Sequence, residues 1–422
     1  MCIHLNLMIF TKIIRGFIRV EWVPVSELFQ IKNGYTPSKS KKEFWENGTI
    51  PWFRLEDVRV NGRELNDSIQ HINPLGVKGC LFPKNSIFMS TTATIGEYAL
   101  VRVPYLTNQQ ITNFSISEKF SEAVNIKYIF YRFYDFGKWC TENANKSGGV
   151  SIIGLKKLSQ YQFPIPCPDN PEKSLAIQSE IVRILDKFTA LTAELTAELN
   201  MRKKQYNYYL DQSLSFKEGE VELKTLGEMG TLIRGKRFVK SDIIPKGVPC
   251  IHYGEMYTHY RIWADKAKSY ISVELASKLR KASCGDVVFV SAGETIADIG
   301  RGTAWLGDED VVIHDACFFY KSSLNPKYVA YFSRTNFFHD QIKKSISSGK
   351  ISAINAKGFE KVIIPVPSPE EQARIVAFLD KFDTLTNSIT EGLPREIELR
   401  QKQYEYYRDL LFSFPKPETV SN

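Results

Sequence analysis

The sequence lacks the residue patterns that disulfide frameworks, membrane spans and common catalytic centres need. Its seven cysteines are scattered along 422 residues without a CxxC pair, which predicts reduced thiols and a cytoplasmic protein. No stretch reaches the roughly 18 consecutive apolar residues of a membrane span. Walker, GxSxG and HExxH motifs are also missing from the sequence. We therefore expect a binding protein with no catalytic, cofactor-binding or metal residues of its own.

Three short motifs bear a superficial likeness to catalytic or metal sites. Asn325-Pro-Lys-Tyr328 resembles the Asn-Pro-Pro-Tyr of amino-methyltransferases, but a matching segment, Asn125-Ile-Lys-Tyr128, lacks the proline. A repeated helix start is the better interpretation. The acids of Pro168–Lys173 lie too close together for a PD…ExK nuclease site. His314-Asp-Ala-Cys317 does not have the spacing of metal ligands.

Basic residues outnumber acidic ones. The chain has 55 Lys and Arg against 47 Asp and Glu, which gives a formal net charge of +8. This balance suits a polyanionic partner such as nucleic acid, although charge alone does not establish one.

The first 19 residues are apolar and at first sight resemble a signal peptide. Their basic residues follow the apolar run instead of preceding it, and no small-residue cleavage site is present. We therefore expect residues 1–19 to form a packed N-terminal extension.

The main feature of the sequence is an internal repeat. Segments beginning at Gln178 and Arg202 match segments beginning at Gln372 and Arg400, and roughly 18 of 30 aligned residues are identical. Such similarity predicts a duplicated architecture of globular domain, helix, globular domain, helix. We predict an N-terminal extension, a first globular domain, a central helical spacer with TAEL repeats, a second globular domain and a C-terminal helical spacer, at residues 1–19, 20–165, 172–216, 221–364 and 369–414.

The repeated segments have the spacing of a coiled coil. Apolar residues alternate at intervals of four and three from Ile177 to Leu195, and again from Ile375 to Ile389. The pattern predicts two long helices that pack as an antiparallel, pseudo-twofold coiled coil. Candidates for the helix-pair or partner interface are Phe188, Leu191, Leu195, Leu199, Tyr206, Tyr209, Phe382, Leu385, Tyr404 and Tyr407. A plain core role for the tyrosines remains an alternative.

A tandem repeat, TAELTAEL, occupies residues 192–199 of the first helix. Four residues are close to one helical turn, so each block lengthens a helix while its buried face stays nearly in line. At the matching place the second copy has Glu391-Gly-Leu-Pro394, which predicts an interruption of that helix. A neutral helix extension is the alternative interpretation of the repeat.

The globular segments combine short apolar runs with one clear helix each, beginning at Lys127 and Lys327. This mixture predicts two α/β (α+β) domains. Their loops carry basic residues next to aromatic and polar ones, the side chains that contact phosphates and base edges. The DNA-contact candidates are Lys39, Lys41, Lys42, Arg54, Thr91, Thr92, Arg234, Lys236, Arg237, Lys240, His252, Tyr253 and Lys350. A solvated loop is the alternative for each of them.

Together these segments resemble the specificity (S) subunits of type I restriction–modification systems, over nearly the whole chain. The helical segments, with the TAEL repeats and Arg400-QKQYEYYRDLLFSF, are similar to those of the type IC subgroup. Five segments resemble target-recognition segments of the family, namely Trp45-ENGTIPW, Ala93-TIG, Thr107-NQQ, Tyr253-GEMYTHY and Ser291-AGETIADIG. Residues 1–19 have no counterpart in this resemblance.

The resemblance implies a non-catalytic DNA-binding subunit. Each globular domain would read one half of a bipartite double-stranded DNA site, and the helices would fix the gap and dock two methyltransferase subunits. Restriction subunits would join this core, and AdoMet, ATP and Mg²⁺ would be bound by the partner subunits. Two alternatives remain at this point: a protein–protein scaffold without DNA reading, and a stand-alone DNA-modifying enzyme.

Overall fold

A computed structural model describes residues 18–146, 149–347, 349, 351–388 and 390–415. The chain forms two compact units. The first runs to Thr192 and takes up the chain again from Arg400, and the second is Ala193–Leu399. The N-terminal extension of the sequence prediction lies outside the described residues except for its last two positions.

The first unit contains three sheets. A five-stranded sheet has the order β2-β9-β6-β7-β4, a three-stranded sheet has the order β5-β3-β8, and β1 pairs with β10. The strands are β1 Val20–Pro24, β2 Phe29–Asn33, β3 Ile50–Phe53, β4 Glu64–Leu65, β5 His71–Ile72, β6 Ser86–Ser90, β7 Tyr98–Val101, β8 Leu106–Thr107, β9 Ile111–Ile116 and β10 Gln162–Pro166. Its helices are α1 Val25–Leu28, α2 Leu55–Asn61, α3 Ile126–Glu142, α4 Leu155–Leu158 and the first part of α5 Pro171–Ser213.

The core of the first unit lies between the large sheet and helix α3. Every residue of β6 and β7 is buried, as expected of short apolar strands covered on both faces. Phe114 of β9 meets Phe133 of α3 edge to face, with ring centroids 5.3 Å apart. Aromatic contacts of this kind fix the helix against the sheet.

The second unit repeats this arrangement. Its five-stranded sheet has the order β12-β21-β17-β19-β14, a four-stranded sheet has the order β15-β13-β20-β16, β11 pairs with β23, and β18 pairs with β22. The strands are β11 Glu222–Thr225, β12 Gly230–Arg234, β13 Val248–Ile251, β14 Trp263–Ala264, β15 Ser269–Ile271, β16 Lys281–Ala282, β17 Val287–Val290, β18 Ala292–Gly293, β19 Gly302–Trp305, β20 Val311–Ile313, β21 Cys317–Ser322, β22 Ser352–Ala353 and β23 Ile363–Val366.

Its further helices are α6 Leu226–Met229, α7 Glu255–Thr258, α8 Val273–Ala276, α9 Pro326–Phe332, α10 Asn336–Lys343, α11 Ala356–Glu360, α12 Pro369–Asn387 and the start of α13 Gly392–Leu411. The predicted α/β architecture with repeated domains is thus confirmed. Across the described ranges, no helix combines the length and the apolar character needed to cross a membrane.

One predicted helix of the second unit is two helices in the structure. The segment beginning at Lys327 ends its first helix at Phe332 and begins the next at Asn336. Thr335 causes the restart, because its hydroxyl accepts a hydrogen bond from the Phe338 amide at 3.2 Å as a helix cap. Ser333 accepts a hydrogen bond from the amide of Gly302 at 2.9 Å, which ties the break to strand β19. The prediction of a single helix here was wrong.

The two copies of Asn-x-Lys-Tyr are helix starts, as predicted. The Asn125 side chain accepts a hydrogen bond from the Lys127 amide at 2.9 Å, and Asn325 accepts one from the Lys327 amide at 3.0 Å. Each asparagine satisfies amides that a helix N-terminus leaves without partners.

The long helices pack antiparallel within each unit. In the first unit Phe188 of α5 meets Tyr407 of α13, with ring centroids 5.2 Å apart. Residues before Phe188 share a core with residues after Tyr407, so the two helices run in opposite directions. In the second unit Tyr209 of α5 meets Phe382 of α12, with centroids 5.4 Å apart. Helix α5 is continuous for 43 residues, while the predicted interruption of the second copy is found between α12 and α13.

The other residues predicted for this interface lie on the same helices and differ in their exposure to solvent. Tyr206 and Tyr407 are buried, and Leu191, Leu195, Leu199, Leu385 and Tyr404 are half-buried. Their contacts with a partner subunit remain a prediction.

Candidate nucleic-acid interface

Each globular domain is fixed to its long helix by the same hydrogen bonds. In the first unit Asp186 of α5 accepts hydrogen bonds from Tyr131 Oη at 2.6 Å and Lys127 Nζ at 3.0 Å. In the second unit Asp380 of α12 accepts from Tyr331 Oη at 2.7 Å and Lys327 Nζ at 2.8 Å. These are charge-assisted contacts that are partly shielded from water, so they hold each domain in a defined orientation on its helix.

In the first unit, polar residues follow directly after two parallel strands that pair with each other. Strands β3 and β8 run side by side, with Phe53 opposite Thr107. Arg54 follows the first strand and Asn108 follows the second. Carboxyl ends of parallel strands meet at one edge of a sheet, where ligands commonly bind. We call Arg54, Asn108, Gln109 and Gln110 the first polar edge.

Hydrogen bonds to the backbone hold this edge in place. The buried Asp57 carboxylate accepts from the Arg54 amide at 2.7 Å, and the Asn108 side chain accepts from the Gln110 amide at 3.0 Å. The neighbouring chain at Gly34 comes so close to Thr107 that a Cβ on Gly34 would lie 2.2 Å from its side chain. Glycine is therefore required at this crossing, which brings the basic loop after residue 34 beside the edge.

The first polar edge borders a groove of about 640 Å³. Lys39 and Lys42 lie on one side of it, and neither makes an ion pair with another described residue. The Nε of Arg54 is buried and has no hydrogen-bond partner among the described residues. The groove is lined mainly by basic, amide and aromatic side chains, with one hydroxyl and one carboxylate, namely Thr36, Lys39, Lys42, Trp45, Glu46, Trp52, Arg54, Gln70, Asn108, Gln109 and Gln110.

The second unit builds the same frame with other side chains. Strands β13 and β20 are parallel, with Ile251 opposite Ile313, so His252 and His314 follow them. The buried Glu255 carboxylate accepts from the His252 amide at 3.0 Å, and His314 Nδ1 accepts from the Ala316 amide at 3.1 Å. These bonds match those of Asp57 and Asn108. We call His252, His314, Asp315 and Ala316 the second polar edge.

The two histidines of this edge belong to an aromatic cluster. The ring centroids of His252 and His314 lie 4.7 Å apart, Phe238 meets both rings edge to face, and the Tyr253 ring is tilted against both. Burial lowers the pKa of both histidines below the ordinary value, and the nearby carboxylates of Glu255 and Asp315 only partly oppose it. At neutral pH the edge therefore presents uncharged imidazoles.

Most of the predicted DNA-contact residues lie on or near one of the two edges. Lys39, Lys42 and Arg54 line the first groove, whereas Lys41 contacts the Phe44 ring and pairs with Glu43 at 4.0 Å. Thr92 is half-buried. Thr91 is buried, and its hydroxyl pairs with that of Thr112 at 2.8 Å, so the structure does not favour it as a contact. The structure corrects that prediction, because a DNA-contact residue must reach solvent.

In the second unit, Arg237 and Lys240 are exposed beside the edge and make no ion pair with described residues. Arg234 donates to the Asp315 carbonyl oxygen, and Lys236 donates to the Lys278 carbonyl oxygen, both at 2.9 Å. These two side chains therefore brace the loop. Tyr253 is 37% exposed beside His252. Lys350 lies outside the described residues.

Sequence reasoning missed several side chains of the edges. Asn108, Gln109 and Gln110 belong to the family-like segment Thr107-NQQ but are not among the predicted DNA-contact residues. His314 is not among them either, because its motif was compared only with metal sites. A polar run placed directly after a short apolar strand was the available signal. Among the residues that the structure describes, no cluster of three or more His, Cys, Asp or Glu could hold a metal ion.

A family model for the type I restriction modification DNA specificity domain matches the chain twice, over residues 19–202 and 218–399. The chain is 43% identical over 388 residues to the EcoprrI specificity subunit of Escherichia coli, covering 89% of this chain and 90% of that relative. It is 39% identical over 433 residues to the EcoR124I/EcoR124II specificity subunit of Escherichia coli, covering 96% and 97%.

Two solved structures share the fold. One comes from work on complex assembly and conformational transition of the type I R-M system, with a TM-score of 0.63, 15% identity, and coverage of 93% of this chain and 97% of that chain. The other is the S subunit from M. genitalium, with a TM-score of 0.50, 13% identity, and coverage of 96% and 98%. The duplicated match and the sequence identities confirm the resemblance: the chain belongs to the family of type I restriction-modification specificity subunits.

Proposed function

We propose that this chain is the non-catalytic DNA-recognition subunit of a cytoplasmic type I restriction–modification complex. Its first unit reads one half of a bipartite double-stranded site through the first polar edge. Its second unit reads the other half through the second polar edge. The chain thus selects the DNA sequence on which partner subunits act.

A single observation carries this proposal: the two edges share one backbone frame and differ in side chains. The matched carboxylates Asp57 and Glu255 accept from the matched amides of Arg54 and His252. Two domains that recognise different DNA sequences require the same backbone support and different outward side chains. A scaffold without a reading role gives no reason for this combination.

The side chains on the edges have suitable chemistry for reading base edges. An arginine such as Arg54 can donate two hydrogen bonds to guanine, and Asn108 or Gln109 can pair with adenine. On the second edge a carboxylate such as Asp315 can accept from the cytosine amino group. The uncharged imidazoles of His252 and His314 already use Nδ1 to accept from the amides of Gly254 and Ala316, so the remaining ring nitrogen of each, Nε2, carries a hydrogen and is a donor.

The basic residues at the margins suit phosphate contacts. Lys39 and Lys42 border the first groove, and Arg237 and Lys240 lie beside the second polar edge. Phosphate contacts position a protein on the duplex without reading sequence. They should make binding by either unit strongly dependent on salt.

In this proposal the long helices set the gap between the half-sites and dock two methyltransferase subunits. Two matched tyrosines, Tyr208 on α5 and Tyr406 on α13, are 60% and 53% exposed. Exposed tyrosines at repeated positions suit two copies of one partner. Restriction subunits join this core, and AdoMet, ATP and Mg²⁺ are bound by the partners.

The test is to reconstitute the chain with its methyltransferase subunits and map methylation across a genome by single-molecule sequencing. We expect a two-part motif with a fixed gap. Replacing residues 108–110 by alanines should alter one half of that motif only. A continuous motif, or methylation no different from that of the methyltransferase alone, would contradict the proposal and favour a scaffold role.

A further inference from the structure

The second unit contains a polar cleft of about 590 Å³ between its helices and its globular domain. Helix α5 contributes Lys203 and Tyr206, α7 and the segment after it contribute residues that include Arg261, and the segment before β19 contributes residues that include Arg301. The rest come from the junction of α9 with α10, from α10 and from α12. The volume is in the range of small-molecule sites. The cleft is separate from the second polar edge, because none of the four edge residues lines it.

The cleft contains more positive charge than negative. Four basic side chains line it, Lys203, Arg261, Arg301 and Arg334, against one carboxylate, Asp383. Arg301 pairs with Asp298 at 3.0 Å. The side chains of Lys203 and Arg261 make no hydrogen bond or ion pair with any described residue. Two cations that face one cleft without a carboxylate at contact distance favour an anionic occupant.

Arg334 is the most constrained of these cations. Its Nη2 donates to the carbonyl oxygens of Gly302 at 2.9 Å and Arg261 at 3.2 Å, whereas its Nε is buried without a partner in the described structure. Burial, with Arg301 nearby, lowers the pKa of Arg334 to about 10. A buried guanidinium that keeps an unpaired donor is costly unless an acceptor joins it.

The matched position of the first unit is filled differently. There Tyr134 stands at the position of Arg334, and Arg408 of α13 stacks on its ring, with the guanidinium carbon 3.6 Å from the centroid. In the second unit Leu210 stands at the position of Arg408. The first unit thus has its arginine on the long helix, against an aromatic ring. The second unit has its arginine on the globular domain, where it lines a cleft.

We infer that this cleft is a binding site for a phosphate-class anion, with Lys203, Arg261 and Arg334 as its ligands. Guanidinium groups bind phosphate oxygens in a forked geometry, and an ammonium group adds a point charge. The phosphate can belong to the backbone of the DNA or to a free polyphosphate compound. The first source rests on the proposed function, whereas the second does not.

The test uses the full-length chain and inorganic tripolyphosphate as a probe, measured by titration calorimetry without DNA. Lys203→Gln and Arg261→Gln should each weaken binding about tenfold, which is the size expected for the loss of a charge-assisted hydrogen bond. Lys204→Gln and Lys266→Gln are matched controls, because both lysines are exposed and neither lines the cleft.

A second arm measures the salt dependence of binding to a duplex that carries the mapped site. A slope lowered by about one for each removed cation identifies backbone phosphate as the ligand. Weaker tripolyphosphate binding with an unchanged slope identifies a free phosphate compound. If the cleft variants match their controls in both arms, the inference is wrong, whatever the methylation experiment shows.

Discussion

The guanidinium of Arg408 lies over the ring of Tyr134, with its central carbon 3.6 Å from the ring centroid. Both residues are in the first unit, and the positions that match them in the second unit hold Leu210 and Arg334. The long helices are near-duplicates in sequence, yet each contains residues suited only to its own domain. Both units have the hydrogen bonds that fix the globular domain to Asp186 or Asp380, whereas the contact between Arg408 and Tyr134 belongs to the first unit.

Replacing Arg408 by Leu, the residue of the other copy, should destabilise the first unit. The change removes a cation–π contact and the packing of a buried arginine stem, together about 1–3 kcal/mol. Hydrogen exchange read by mass spectrometry reports the loss in each unit separately. Arg183→Leu is the control, because Arg183 is exposed and pairs only with Glu180 on its own helix. Equal losses in the two variants would show that the stacking contributes nothing.

The bond between Tyr331 and Asp380 should be coupled to that between Lys327 and Asp380. Tyr331→Phe removes one hydroxyl from a carboxylate and should cost about 1–2 kcal/mol. A double-mutant cycle with Lys327→Met should give a coupling energy different from zero, because both groups bond to one carboxylate. Chemical unfolding measures each corner. Tyr208→Phe, at an exposed tyrosine, should change nothing, and additive effects of the first two changes would contradict the shared contact.

Changing Gln109 to Ala should relax one half of the recognised site at one or two base pairs. A lost base contact costs about 1–3 kcal/mol of discrimination. Among the described residues, the exposed Gln109 side chain bonds only to the Thr36 hydroxyl, so the fold should be retained. Methylation mapping reads both halves together, and Asp315→Asn is the matched variant for the other half. An identical change of both halves by either variant would contradict the assignment of one half to each unit.

Deleting one TAEL block from residues 192–199 should shorten the permitted gap. Four residues account for about 6 Å of helix, against about 3.4 Å of DNA rise per base pair, so the gap should lose one or two base pairs. Both half-site sequences should stay as they were. Replacing the block by four alanines is the control, since this keeps the helix length. A deletion variant that kept the original gap would refute the role of the helix as a spacer.

Mild acid should destabilise the second unit more than the first. Burial lowers the pKa of His252, His314 and His339 in the folded chain. The unfolded chain therefore binds protons that the folded chain does not, once the pH falls below the ordinary histidine pKa of about 6.5. The stability that these histidines contribute is fully present above that pH and is lost as the pH falls from it toward their lowered folded-state pKa.

Hydrogen exchange between pH 7.5 and 5.5 measures this loss in each unit, above the range in which ordinary carboxylates titrate. His252→Asn combined with His314→Asn should flatten the pH dependence of the second unit. If the double variant retains the full dependence, the two histidines are not its source.

Much of the architecture could be predicted because it repeats. The duplication and the apolar strands such as Ser86–Ser90 are all local patterns, and the structure has them as expected. The break at Ser333–Thr335 was missed, because the preceding and following residues continue a helical pattern, whereas the bond from the Gly302 amide to Ser333 and the cap at Thr335 separate two helices.

The polar edges could not be assembled from the sequence. Arg54 and Asn108 are 54 positions apart, and they become neighbours only because β3 and β8 pair in parallel. The charge of Lys39 and Lys42 predicts a contact with DNA from the sequence alone, whereas Asn108 is uncharged and resembles any loop asparagine. Thr91 looked equally accessible, and its burial depends on the pairing of strands distant in sequence.

The sequence by itself determined that this protein has two related domains on two similar helical segments, because a repeat and a heptad spacing are properties of residue order. Only the tertiary structure decided which side chains share an edge or a cleft. That decision depends on strand pairing and on the burial of groups such as Asp57 and Arg334, which are far apart in the chain from the residues they contact. Local propensity fixes where elements begin and end, whereas long-range packing fixes what their ends present to a partner.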